Sequence, residues 1–61
     1  MALTTPELKW LKDNMGKPLT DIVDMPSVRG MCLSDKCAIE EDGYLFATHK
    51  GQRLMAYYQI S

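Results

Sequence analysis

The sequence predicts an α+β domain: three helices, a short two-stranded β-hairpin and a C-terminal helix. Three observations predict it. Thr5-Pro6-Glu7 opens a segment whose apolar residues recur at helical spacing. Asp42-Gly43 separates two short alternating segments, and Asp-Gly is among the strongest short-range signals for a two-residue hairpin. Thr48 then precedes a last segment with helical periodicity. At 61 residues there is room for one core, so residues 1–61 read as a single domain.

The first helix is well punctuated. Thr5 suits the N-cap, Pro6 the first helical position, and Glu7 the positive end of the dipole. Leu8, Leu11 and Met15 should face the core, with Trp10 off that line and covering its edge. Gly16 reads as the residue that closes the helix, and Pro18 stops its continuation. Residues 19–25 form a short second segment, capped by Thr20, with Leu19, Ile22 and Val23 or Met25 inward. Pro26-Ser27 breaks it.

Ser27 is the expected N-cap of the third helix, which runs through Val28, Met31, Cys32 and Asp35. Its apolar line is Val28, Met31 or Cys32, and Leu33. Gly30 in its interior weakens it by about 1 kcal/mol relative to alanine. Ala38 to Glu41 and Tyr44 to Ala47 are the two strands, with Ile39, Leu45 and Ala47 expected on the core side. Thr48 caps the last helix, which carries Leu54, Met55, Tyr58 and Ile60 along one side.

Composition narrows the function classes. A hydrophobic share of 46% is ordinary for a globular protein and argues against disorder. A chain of this length buries only about 60% of its unfolded surface, and a dimer interface would add burial. The net charge is −1, where phosphate binders usually carry a basic patch. Residues 21–42 hold six acids (Asp21, Asp24, Asp35, Glu40, Glu41, Asp42) against Arg29 and Lys36. No signal-peptide or transit-peptide pattern or long apolar run is present, so a soluble, cytoplasmic protein with no membrane partner is expected.

Cys32 and Cys37 would lie about 140° apart on a helix, too divergent for an easy disulfide. With only His49 as company they make no zinc pattern, so reduced thiols are expected and no metal. His49 could serve as base to a nucleophilic cysteine only within hydrogen-bond reach, in a chain with little room for a pocket. The expectation is therefore no enzyme and no cofactor. Glu40-Glu41-Asp42 lacks the alternating oxygen ligands of a calcium loop and reads as a solvated turn.

Leu33, Lys36, Cys37, Ala38 and Ile39 fit a leucine, two variable residues, lysine, glycine, apolar, isoleucine pattern. Ala47-Thr48-His49-Lys50-Gly51 fits a leucine-threonine-x-lysine-glycine turn. In these motifs and in element order, residues 5–58 resemble the winged helix-turn-helix superfamily of transcriptional regulators. A free-standing domain this small resembles the accessory proteins of phages and prophages. Cys37 stands where the family has a left-handed glycine, which predicts a strained or reshaped corner. The interval from Val28 to Ile39 is also about one helical turn shorter than the family's, and the hairpin is flanked by acids that repel phosphate.

The resemblance implies a small DNA-binding regulator of transcription, with helix Ser27–Lys36 in the major groove of double-stranded DNA. Ser27, Arg29 and Lys36 are then the nucleic-acid contacts, with Lys50 and Arg53 near phosphates. Ser27 would donate to a phosphate at the helix N-terminus and Arg29 would pair with a guanine edge. The alternative is that Arg29 and Lys36 are solvated side chains balancing Asp24 and Asp35. The C-terminal segment is apolar on more than one side, so Met55, Tyr57 and Tyr58, joined by Trp10, form the expected partner or homodimer interface. The runner-up function is a winged-helix module that binds a protein partner through its acidic face or its aromatic C-terminus, without binding DNA.

Overall fold

The computed structural model describes residues 5–60. Along the chain it places α1 (Thr5–Asn14), α2 (Pro26–Ser34), β1 (Ala38–Glu41), β2 (Tyr44–Ala47) and α3 (His49–Tyr57). The architecture is α+β: three helices and a two-stranded antiparallel hairpin. Helix α1 already includes Thr5, so its N-cap position lies outside the described residues. Leu8 and Leu11 are fully buried, as their spacing predicts.

Trp10 departs from expectation. It is 5% exposed and belongs to the core, not to its edge or to an interface. Residues 19–25 lie over it: its indole Nε1 donates to the Val23 carbonyl at 3.0 Å. Asn14, one turn on, is buried too. Its Nδ2 donates to the Trp10 carbonyl at 2.8 Å, and its Oδ1 accepts the Val23 N–H at 2.9 Å. Two side chains of α1 thus hold both polar groups of one backbone unit.

That clamp explains why the expected second helix is absent. Residues 19–22 run as turns and 23–25 are irregular, so no helix forms there. Their backbone groups are satisfied elsewhere: the Leu19 N–H donates to Gly43 at 2.8 Å, and the Asp21 N–H to Pro18 at 2.9 Å. Between two prolines the segment is too short for a helix to nucleate against such competition.

Helix α2 starts two residues earlier than expected. Met25 is the N-cap and makes no side-chain cap bond, while Pro26 takes the first turn. Proline's fixed φ suits that position, which moves Ser27 inside the helix. The other end is a Schellman motif: the Cys37 N–H donates to Cys32 at 2.9 Å and the Lys36 N–H to Leu33 at 3.1 Å. The left-handed residue is consequently Lys36, at φ 60°, not Cys37. Cys37, one step later, turns back into the core, where it and Cys32 are fully buried.

In the hairpin, Asp42 and Gly43 both take positive φ, 53° and 80°, as a type I′ turn requires. Register follows from the turn, pairing Glu41 with Tyr44, Glu40 with Leu45, Ile39 with Phe46 and Ala38 with Ala47. Ala38 and Leu45 therefore face the core, and Ile39 faces outward, opposite to the expectation. On its other side β2 is bridged by the segment after α1. Gly16 donates to the Leu45 carbonyl at 2.6 Å, and Leu45 donates to Lys17 at 3.1 Å.

Helix α3 begins as expected, with the Thr48 side chain accepting the Gly51 N–H at 3.1 Å. Met55 is 5% exposed and closes the core, with Leu54 and Ile60 partly buried against it. It is therefore unavailable to a partner, as Trp10 is.

Candidate interaction surfaces

The five cationic or polar residues expected to touch nucleic acid do not form one surface. Ser27 is exposed in the first turn of α2. Lys36 lies nine residues further on, beyond the C-terminal end of α2. Arg29 points from α2 to β1, where its guanidinium pairs with the Glu40 carboxylate through both Nε and Nη2. Its partner is thus Glu40 and not Asp24, and the group best suited to a guanine edge is engaged.

The backbone of Lys36 and the side chain of Lys50 meet at the corner where α2 ends and α3 begins, and Arg53 lines a groove with Lys50. The Thr48 hydroxyl donates to the Lys36 carbonyl at 2.6 Å, tying the N-cap of one helix to the C-terminal motif of the other. Lys50 reaches across the same corner. Its ammonium donates to the Asp35 carbonyl at 3.0 Å and lies 3.4 Å from the Asp35 carboxylate. A cation there meets the negative end of the α2 dipole. Arg53 shares the exposed face of α3 with Lys50 and makes no ion pair among the described residues.

An open groove of about 790 Å³ runs along that face, lined by Lys50, Arg53, Leu54, Ala56 and Tyr57. Tyr57 is 77% exposed, and its ring meets that of Tyr58 edge-on with centroids 4.9 Å apart. Of the four expected interface residues, these two tyrosines are at the surface.

The surface that the sequence reading missed is the outer face of the hairpin. Ile39, Tyr44 and Phe46 are 43%, 43% and 41% exposed, and the Tyr44 and Phe46 ring centroids are 6.3 Å apart. Glu41 shares this face through its pairing with Tyr44, and Asp42 stands at the turn. Counting outward from Asp42-Gly43 with Leu45 inward would have found it, because side chains alternate strictly along each strand.

The thiols are placed for packing. Burial, reinforced by the neighbouring Cys37, pushes Cys32 from 9.0 up to about 11. Burial and the Asp35 carboxylate raise Cys37 as well. A nucleophilic cysteine needs the opposite shift. Among the described residues, no three His, Cys, Asp or Glu side chains gather as a metal group, and no helix is long and apolar enough to cross a membrane.

No protein-family model, curated protein or solved structure matches this chain.

Proposed function

We propose that this domain is a winged-helix-like module that docks a protein partner through the outer face of its hairpin. The observation that carries the reading is the exposure of Ile39, Tyr44 and Phe46 side by side on a two-stranded ribbon. Aromatic residues on a rigid support give large contact area at low entropic cost, which is why they are enriched in protein interfaces. The order of helix, hairpin and helix over residues 26–57 supports the winged-helix likeness, and the non-helical segment at 19–25 departs from it. Arg29 and Lys50, held by Glu40 and Asp35, give up part of their attraction for phosphate.

The test is a photo-crosslinking amino acid placed at Phe46, with the same group at exposed Lys12 as control, in cells that make the protein. Position 46 should yield a discrete protein adduct and position 12 should not. Absence of any adduct specific to position 46 overturns the reading.

Lys50 and Arg53, lining one groove, favour a second reading, in which a regulator contacts the phosphates of duplex DNA. A salt titration on random duplex tests it. Binding that weakens steeply with salt and is lost in Lys50→Ala and Arg53→Ala supports it, and no binding at low salt removes it.

A further inference from the structure

Two surfaces exposed among the described residues complement each other. The outer hairpin face is apolar and acidic: Ile39, Tyr44 and Phe46, with Glu41 beside them and Asp42 at the tip. The groove on α3 is apolar and basic: Leu54, Ala56 and Tyr57, with Lys50 and Arg53 at its N-terminal end. Neither Glu41 nor Asp42 makes an ion pair among the described residues, and neither does Arg53.

We propose that the partner of the hairpin face is a second copy of this chain, whose α3 groove receives it. Phe46 and Tyr44 lie against Leu54 and Tyr57 of the other copy, and Glu41 and Asp42 lie beside Arg53, with Lys50 still held by Asp35. The inference rests on the protein-docking reading above and names its occupant. Three considerations support it. The charges are opposite, so they steer the encounter and set its register. At about 790 Å³ the groove falls in the range of roughly 300–1,000 Å³ typical of sites that take up apolar groups. Among the described residues eight hydrophobic side chains are buried in the core, and a domain this small gains from burial against a neighbour.

The contact joins two different patches, so it is heterologous. That property gives a sharp test. Sedimentation equilibrium of the full chain, from micromolar to millimolar concentration, should show a mass rising above the 6.9 kDa of the monomer. Added salt should suppress the rise. Glu41→Lys and Arg53→Glu, both at exposed positions, should each weaken self-association by about tenfold or more. An equimolar mixture of the two should associate again, because the intact hairpin of one meets the intact groove of the other.

Amide chemical shifts followed on dilution provide a second measurement that needs no variant. They should move within residues 39–46 and 50–57. A monomer at every concentration overturns the proposal, as do a mixture that stays apart and dilution shifts confined to other segments. If the wild-type chain is monomeric while position 46 still crosslinks to a different protein, self-docking is wrong and the hairpin-face reading stands.

Discussion

A methyl group on the Cα of Gly51 would lie 2.2 Å from the carbonyl oxygen of Cys37. That oxygen also accepts the Thr48 N–H at 2.9 Å, so it is fixed in place. Helix α3 is therefore seated directly on the chain between α2 and β1, and its third position admits only glycine. The corner where Lys50 reaches Asp35 depends on this seat.

Gly51→Ala should lower stability by about 1–3 kcal/mol, the usual cost of overpacking. Urea denaturation would read it as a lower midpoint with an unchanged slope. Gly30→Ala is the matched control. It has open space around its Cα in the middle of α2, and should raise stability by about 0.5–1 kcal/mol. Equal effects at the two sites would refute the contact.

Lys36 sits in the left-handed region at φ 60° with a full side chain, at the position of a Schellman motif that glycine favours. Lys36→Gly should therefore stabilise the fold by about 1 kcal/mol, a rise in Tm of about 4–8 °C for a domain of this size. A lower Tm would mean that the lysine side chain contributes more than its backbone costs.

These positions show which parts of the fold were legible in the sequence. Asp42-Gly43 and Thr48 announced the hairpin and the start of α3 because their signals are local: a turn demands positive φ, and a hydroxyl caps an adjacent N–H. Ile39 faces outward, against the expectation, because the two-residue turn, and not the weak alternation of Ala38-Ile39-Glu40-Glu41, sets the register of β1. Lys36 and Cys37 were exchanged because a one-residue shift in the helix terminus changes which residue is left-handed. Trp10 and the 19–25 segment depended on tertiary hydrogen bonds with no local signature. For the site, the sequence revealed the cations of the α2–α3 corner but not the engagement of Arg29 by Glu40, eleven residues away. The outer face of the hairpin followed the same misread register.

Asn14 tests the tertiary clamp. Asn14→Ala removes a buried amide that joins the Trp10 carbonyl to the Val23 N–H, at an expected cost of about 1–3 kcal/mol. The Val23 amide should then exchange its hydrogen much faster, while amides of β1 and β2 that pair within the hairpin slow or speed only with global stability. A Val23 amide as protected as in the wild type would show that something other than Asn14 holds the segment.

Cys32 makes stability depend on alkaline pH, with a definite sign. Burial raises its pKa from 9.0 to about 11, so the folded state keeps the thiol proton through a window in which the unfolded chain loses it. The folded state then binds more protons, and stability must fall as pH rises through that window, having been fully present below it. Burial raises the Cys37 thiol as well, and both proteins keep it, so the informative quantity is a difference. Cys32→Ala should be less stable than wild type at neutral pH, because it empties part of the core. From pH 9.0 to about 11 the gap between them should narrow, since only the wild type has this proton to lose. Urea midpoints of the two proteins across that range would decide it: a gap that stays constant means Cys32 titrates as an ordinary thiol.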